Sequence, residues 1–540
     1  MTSPVLGVLA ALAAAAAQPQ DTVPLYDDLG DYHVEITTGS PIAQQYFDQG
    51  VRLIYGFNHA EAIASFREAL RHDPDCAMCY WGIAQAYGPN INLAMDSASG
   101  AAAYDAARAA IERASQTTPK EQAFIRAIAT RYGADPVADR AQLDSAFATA
   151  MGEVYRTYPA DDDAAVLYAD ALMNLSPWLY WTPELKERPA TPKMLEALER
   201  VTARNPKHAG ACHLYIHAVE AAYPKRAEPC ADRLAALMPG AGHIVHMPGH
   251  IYIRVGRYVD AIEANQHAIH ADETFIADRK PEGVYPLGYY PHNIHFLNFA
   301  AIMAAREDLA MQSANDLAAK ATPEFQRAPG MLGWFQHYAQ APLFAALRFE
   351  RWDIILAAHQ PAADLLHATG LYHYAVGMAH ARKSNADKAA AELALLRDVA
   401  VKPELKEITI LSTNTAAAIL SIAVESLAGE VAAARGEWDA AEAHVRKAVE
   451  LEAALIYIEP PEWVIPPRQQ LGRIQLEAGR LADAQRTYEQ DLERFAENVW
   501  SLRGLATSLE RQGKSAEAQA VQDRIEKALS GSKRADHAHR

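Results

Sequence analysis

Apolar, small and polar residues alternate with a helical period along residues 43–75, AQQYFDQGVRLIYGFNHAEAIASFREALRHDPD. Small residues such as Gly50 and Ala62 let two antiparallel helices approach closely, and Pro74 ends the second helix. Tyr80 follows Tyr46 by 34 residues, so the next unit begins in register. The pattern therefore predicts a repeated pair of helices.

The spacing of these residues resembles the signature of the tetratricopeptide repeat (TPR), which is about 34 residues long. The matching positions are Tyr46, Gly50, Ala62, Phe66, Ala69 and Pro74. Looser matches recur along most of the chain, with insertions near residues 88–103, 174–192, 274–291 and 450–467. The resemblance implies an all-α fold, a right-handed α-solenoid of antiparallel helix pairs with loop insertions, in which the first helix of each pair lines a concave groove.

The repeat pattern and the composition of the two ends predict six segments along the 540 residues. They are a signal peptide (1–17), an N-terminal extension (18–42), N-terminal TPR units (43–135), a central TPR-like solenoid (136–400), C-terminal TPR units (401–530) and a disordered tail (531–540).

The N-terminus carries an unbroken apolar run from Val5 to Ala17, which is too short to span a bilayer but suits the core of a signal peptide. Ala15 and Ala17 offer a cleavage site, although no Lys or Arg precedes the run. We therefore expect a periplasmic or secreted protein, and an Ala-rich disordered tail is the alternative. No other segment is expected to span a membrane.

The net charge of −17, with no basic cluster before the tail, predicts that the protein does not bind nucleic acid. Four cysteines allow two disulfides in an exported chain. Cys76 and Cys79 form a C-x-x-C that lacks the histidine of a haem attachment motif, and Cys212 and Cys230 fall on neighbouring predicted helices. Four free thiols remain the alternative to disulfides.

Histidines recur at helical spacing in the central segment, most densely in HIVHMPGHIYIRVG, residues 243–256. In the TPR pattern, positions four, seven and eleven after the closing proline face the groove. After Pro239 these positions hold His243, His246 and His250, and after Pro206 the last two hold His213 and His217. Alignment of the following unit on Ala310 places His292 and His295 at equivalent positions. The pattern predicts that seven histidines from three successive helices converge on the groove.

Neutral imidazole is the commonest protein ligand of transition metals. Because seven crowded imidazoles would repel one another once protonated, we predict that they bind a transition metal. An imidazole set favours copper, with zinc or iron as alternatives, and the number of ligands allows a dinuclear site. The paired spacing resembles the ligand sets of dinuclear copper proteins of the tyrosinase type, in ligand pattern only. Glu220 on the same stripe and Asp170 at a groove position after Pro159 are the predicted catalytic residues, Glu220 as ligand or proton acceptor.

Aromatic residues near the cluster predict binding of a small organic substrate. The predicted substrate-binding residues are Trp81, Tyr289, Tyr290 and His337. The segments GPNIN (88–92) and YIEPPEWVIPP (457–467) are predicted as loops that cap the groove, with Glu459 and Glu462 on a solvated rim.

These motifs together (CAMCYWG, HLYIHAVE, HMPGHIYIRVG, PHNIHF, EPPEW) resemble a group of exported bacterial TPR proteins. The function predicted from the residues is a copper-dependent oxidoreductase. The alternatives are a scaffold that binds a peptide in the TPR groove, a metal storage or delivery protein, and a zinc-dependent hydrolase.

Overall fold

The structure is a computed structural model that describes residues 23–135, 139–328 and 332–530. The predicted signal peptide and the predicted C-terminal tail lie outside these residues. The chain forms two compact units. One comprises the residues up to Ile251 together with His267–Tyr290, and the other comprises Tyr252–Gln266 and the residues from Pro291 onwards.

Most of the described residues are helical, and the only strands among them form one short hairpin, which confirms the all-α, TPR-type fold class. Eleven α-helices lie in the first unit before the chain first leaves it after Ile251. They are α1 (Pro41–Tyr55), α2 (His59–His72), α3 (Ala77–Tyr87), α4 (Ser97–Arg113), α5 (Pro119–Ala129), α6 (Arg140–Thr157), α7 (Asp162–Met173), α8 (Thr191–Arg204), α9 (Ala209–Val219), α10 (Glu228–Leu237) and α11 (Gly242–His246). The next two helices each have residues in both units; they are α12 (Pro248–Val255) and α13 (Tyr258–Arg279).

The remaining helices are α14 (Tyr290–Met303), α15 (Glu307–Lys320), α16 (Leu332–Tyr338), α17 (Ala341–Arg348), α18 (Trp352–Leu356), α19 (Leu366–Arg382), α20 (Ala386–Ala400), α21 (Ala416–Ala434), α22 (Trp438–Ala453), α23 (Pro467–Glu477), α24 (Leu481–Arg494), α25 (Val499–Arg511) and α26 (Ser515–Ser530). A π-helix spans Tyr285–Tyr289, and short 3-10 turns span Ala114–Gln116, Pro224–Ala227, Phe325–Arg327 and Pro403–Lys406. The strands β1 (Thr409–Ile410) and β2 (Asn414–Thr415) form one antiparallel hairpin.

A large ring between two glycines holds consecutive helices together in the first unit. The ring of Phe66 on α2 packs against Gly50 on α1 and Gly82 on α3, and a Cβ on either glycine would lie 2.5 Å from the ring. Because that separation is impossible for carbon atoms, any larger residue at Gly50 or Gly82 would force the helices apart. The close helix approach predicted from the TPR pattern at Gly50 is confirmed.

The second unit repeats this arrangement near the C-terminus. Tyr488 on α24 packs against Gly472 on α23 and Gly504 on α25, with the same sequence spacing as Phe66 and its glycines. Regular repeats therefore lie at both ends of the chain. The three predicted repeat segments remain predictions of repeat organisation, beside the two compact units.

Two sequence predictions need correction or completion. Helix α21 has the length and composition of a membrane span, with mean hydropathy 1.6, so the prediction that no segment beyond the N-terminus has these properties is wrong. However, 72% of its 18-residue apolar stretch is buried, which is typical of a core helix, and the helix packs against α22. Cys76 and Cys79 form a disulfide, whereas Cys212 and Cys230 are free, buried thiols.

Candidate metal centre

Helix α9 carries His213 and His217, with Glu220 as its C-terminal cap residue. The His208 side chain caps the N-terminus of the helix, and every residue from Ala209 to Val219 is buried. A helix that is buried on all sides has no solvated face. The two histidines therefore point into the protein interior, where a polar group needs a partner.

The second group of histidines follows after α10. His243 and His246 lie on α11, and His250 lies on α12. The sequence predicted a single helix here, but α11 and α12 are separate helices that meet at Met247 and Pro248, where proline lacks the N–H that a continuous helix needs. The three rings remain neighbours despite the break. The ring centroids of His243 and His246 are 5.9 Å apart, and those of His246 and His250 are 4.8 Å apart.

These two groups of histidines converge within the first unit, as the sequence predicted. The ring centroids of His213 and His243 lie 4.9 Å apart, and those of His217 and His250 lie 5.2 Å apart. One candidate ligand atom from each of His213, His217 and His243 lies within 4.8 Å of the other two. The same holds for His217, Glu220 and His250. The groups overlap at His217, so the cluster offers neighbouring positions for a cation.

Hydrogen bonds fix the orientation of three of these rings. The Nδ1 atom of His213 lies 2.7 Å from the Tyr55 carbonyl oxygen, to which it donates. The carboxylate of Glu220 accepts from two rings, with His217 Nδ1 at 3.1 Å and His250 Nδ1 at 2.6 Å. In this tautomer, Nε2 of each ring carries the lone pair that binds metals, although the Nε2 atom of His250 lies 2.9 Å from that of His246, within hydrogen-bond distance. The Nε2 atoms of His213 and His217 are buried and have no hydrogen-bond partner in the protein.

Burial decides the protonation of the cluster. It lowers the pKa of His213 well below the usual range, and the neighbouring His217 lowers it further. Burial also lowers the pKa of His217, although Glu220 opposes this effect. Burial alone would raise the pKa of Glu220, but His250 and His217 lower it to about 2. The site thus combines an ionised carboxylate with neutral His213 and His217, and neutral imidazole is the form that binds metals.

Three aromatic residues enclose the histidines. The ring of Phe57 lies 4.4 Å from that of His213, Trp178 lies edge-on at 5.0 Å from His217, and Tyr289 lies 4.6 Å from His243. Phe57 and Trp178 both have positive φ, 56° and 65°, a conformation that is strained for bulky residues. The five histidines are therefore buried, with exposed fractions of 3% or less. The surface that these predicted groove residues line is therefore closed to solvent.

The other predicted ligands and substrate-binding residues are distributed over both units. His292 and His295 lie on α14 in the second unit, where His295 is buried with its ring 5.9 Å from that of His337 on α16. In the first unit, Tyr290 donates a hydrogen bond to Glu273, and Trp81 is buried with its ring 6.0 Å from that of Phe124. The ligand and substrate roles of all these residues remain predictions.

The predicted capping loops are more buried than the sequence suggested. Glu459 and Glu462 have exposed fractions of 3% and 2%, so the prediction of a solvated rim is wrong. Asn414 donates to Glu462 at 2.8 Å, and burial raises the pKa of Glu462 to about 7. In the first unit, Asn90 in the GPNIN loop is buried, and its Oδ1 atom accepts a hydrogen bond from the backbone N–H of Asn92.

Sequence reasoning missed several residues that shape these regions. Phe57 and the Tyr55 carbonyl are absent from the predicted site, and so is His367, whose Nε2 lies 3.3 Å from His337 Nδ1. His213 and Tyr55 are separated by 158 residues, so no local spacing could indicate their contact. The only sequence signal for Phe57 is a bulky residue in the turn between α1 and α2.

Comparison with known proteins gives no assignment. No protein-family model matches the chain, and no curated protein matches it. Among solved structures, the human IFIT1 dimer with m7Gppp-AAAA aligns over 92% of both chains, with 13% identity and a TM-score of 0.33. Yeast Tom70 aligns over 91% of both chains, with 11% identity and a TM-score of 0.28. Likeness at this level carries no argument about the function of this chain.

Proposed function

We propose that this protein is a metalloenzyme that binds a transition metal at the five-histidine cluster, and that it is a copper-dependent oxidoreductase acting on a small organic molecule. The observation that carries the proposal is the orientation of His213 and His217. Both rings are anchored through Nδ1, and both present a buried, partnerless Nε2 towards the same cluster. Leaving two such nitrogens unbonded in the interior is unfavourable, and a metal ion would satisfy both at once.

The proposed roles follow from these contacts. His213 and His217 bind the metal through Nε2, and His243, His246 and His250 complete the set. Glu220 was predicted as a ligand or proton acceptor, but its contacts with His217 and His250 favour a positioning role, because it fixes the tautomer of both rings. His292 and His295 remain predicted ligands.

The ligand chemistry favours copper over the alternatives. Imidazole-rich sets suit copper, zinc and iron, whereas calcium and magnesium prefer oxygen ligands. The one carboxylate of the cluster, Glu220, is engaged by two imidazoles, and a dizinc hydrolase normally brings more carboxylates. Copper would supply one-electron redox chemistry at this site. Asp170 is proposed as a general acid or base, since burial raises the pKa of its carboxyl to about 6.

A peptide-binding scaffold is the second candidate, and the TPR-like fold is the observation that favours it. We also propose export to the periplasm or the medium, and no binding to nucleic acid, on the charge of −17. Mass spectrometry of the mature N-terminus and a filter-binding assay with RNA test these two points.

Elemental analysis of protein purified without an affinity tag tests the metal proposal. We expect one or two equivalents of metal per chain, with a Cu(II) EPR signal after oxidation. The matched control is His267→Gln/His270→Gln, because these two histidines lie three apart on α13 and are exposed. This variant should keep its full metal content. Less than about a tenth of an equivalent in the unmodified protein, after reconstitution with copper and with zinc, would leave the scaffold as the better function.

A further inference from the structure

A small cavity lies beside the histidine cluster in the first unit. Its volume is about 20 Å³, and its lining includes Tyr55, Phe57, His59, Gln85, Asn90 and Asp170. This volume admits one water molecule or a ligand of about two heavy atoms. Phe57 is shared between the two regions, because its ring also packs against His213, His217 and His243.

Gln85 gives the cavity an unsatisfied hydrogen-bond acceptor. Its side chain lines the cavity, its exposed fraction is 3%, and its Oε1 atom has no partner in the protein. A buried amide oxygen without a partner is unfavourable, and native structures satisfy such a group with a protein donor or an ordered water molecule.

The neighbouring polar groups show which kind of molecule fits. The Oδ1 atom of Asn90 accepts from the backbone N–H of Asn92. His59 is hydrogen-bonded to the backbone of Ala86. Asp170 accepts one hydrogen bond, from Asn174, and retains further capacity as an acceptor. The cavity therefore presents acceptors to its occupant at Gln85 and Asp170, and the occupant must donate hydrogen bonds.

We propose that this cavity is a binding site for one hydrogen-bond-donating molecule of one or two heavy atoms, held by Gln85 Oε1 and the Asp170 carboxyl group. Water and small hydroxyl compounds share this chemistry. Binding by the cavity does not depend on a metal. Its further role, as the site of the small co-reactant for the cluster across Phe57, rests on the proposed function.

Thermal unfolding gives the first test, because a filled cavity and an empty cavity predict opposite changes in the Tm of one variant. Gln85→Met keeps the length of the side chain and removes its polar atoms. If Oε1 binds a molecule, the variant loses that hydrogen bond, and its Tm should fall by about 2 °C. If the cavity is empty, the variant removes an unsatisfied buried group and its Tm should rise, which would overturn the proposal. Gln142→Met on the exposed face of α6 is the control for the helix propensity of methionine.

Crystallography of the full chain identifies the ligand. We expect a density peak within about 3 Å of both Gln85 Oε1 and the Asp170 carboxyl group, and its loss in Gln85→Met crystals. Soaking the crystals in methanol distinguishes a water site from a site for small hydroxyl compounds. A single-atom peak that persists identifies water, and a peak that lengthens to two atoms identifies a site for small hydroxyl compounds. No peak in the unmodified protein would overturn the proposal.

Measuring the metal content of the same samples shows whether the cavity proposal or the proposed function has failed. Gln85→Met should retain all of its metal, because Gln85 does not contact the cluster. A filled cavity in a protein that binds no metal would end the proposed function and leave the cavity site standing. An empty cavity in a metal-loaded protein would overturn the cavity proposal and leave the proposed function standing.

Discussion

Buried histidines occur in both units, but their surroundings differ. In the first unit, the rings of His213, His217 and His250 are oriented by hydrogen bonds to a carbonyl or to the Glu220 carboxylate. In the second unit, His337 and His367 hydrogen-bond to each other at 3.3 Å. Burial lowers the pKa of both, to about 4 for His337.

The comparison teaches that burial and crowding of histidines do not define a metal site. Both regions hold neutral imidazoles at contact distance, and a hydrogen bond between two rings satisfies one nitrogen of each without any ion, as between His337 and His367 and between His246 and His250. The Nδ1 atom of His367 nevertheless has no partner in the protein. What distinguishes the cluster from the His337–His367 pair is an anionic acceptor, Glu220, which fixes the tautomer of two adjacent rings and directs their lone pairs into the cluster. His373 in the second unit also donates to a carboxylate, that of Glu392, but it belongs to no candidate metal group among the described residues. Each prediction below contrasts the two regions or changes one feature of the contrast.

The largest expected effect is the loss of metal from the first unit. His213→Gln/His217→Gln removes both partnerless Nε2 atoms and should reduce metal content by more than about tenfold. The equivalent change in the second unit, His337→Gln/His367→Gln, should leave the metal content unchanged. Elemental analysis measures both, with far-UV circular dichroism to verify the helical content. Equal losses in the two variants would show that the anionic acceptor is not the distinguishing feature.

The next effect concerns Glu220 alone. Gln has one oxygen in place of two, so Glu220→Gln can accept from only one of the rings of His217 and His250. We expect metal affinity to fall about 10- to 100-fold in a competition titration with a chelator. Glu462→Gln in the second unit is the matched control, because Glu462 is equally buried and Asn414 donates to it. An unchanged affinity in Glu220→Gln would argue against the positioning role.

Glu462 also predicts a pH dependence. Burial raises its folded-state pKa to about 7 from the usual 4.5, so between these values the folded state binds a proton that the unfolded state has lost. The free energy of unfolding should therefore fall as pH rises from 4.5 to 7, by up to about 3 kcal/mol, and level off above pH 7. Glu462→Gln should flatten this slope in urea unfolding at pH 5 and pH 8. A slope that persists in the variant would assign it to other groups.

The smallest expected effect is kinetic. Trp178 lies edge-on against His217 and is only partly exposed, so it covers one side of the cluster. Trp178→Gly removes this cover and also relieves the positive φ, so the fold should be retained. We expect the release of metal to a chelator to accelerate about threefold, with little change in affinity. The release rate of Trp352→Gly in the second unit should match that of the unmodified protein.

The helix pairs could be predicted from the sequence because their determinants are local. Gly50, Phe66 and Gly82 lie at regular spacing, and each contact joins consecutive helices. The convergence of His213 with His243 was predictable for the same reason, since both positions are counted from the proline that closes the preceding pair.

The rest of the site depends on contacts between distant parts of the chain. The Tyr55 carbonyl that orients His213, and the rings of Phe57 and Trp178 that bury the cluster, come from other helix pairs and from an insertion. Spacing within one repeat carries no information about them. The same limit explains why Glu459 and Glu462 were predicted on a solvated rim although both are buried.

X-ray absorption spectroscopy of the copper-loaded protein tests the central claim most directly, because it counts the ligands of the bound metal. We predict three to four imidazole nitrogens at about 2.0 Å, with the multiple-scattering pattern of histidine rings and no sulfur. The His213→Gln/His217→Gln variant, loaded with as much copper as it binds, should show fewer imidazole ligands per metal ion. A first shell of sulfur, or of oxygen with at most one imidazole, would contradict the assignment of the metal to this cluster.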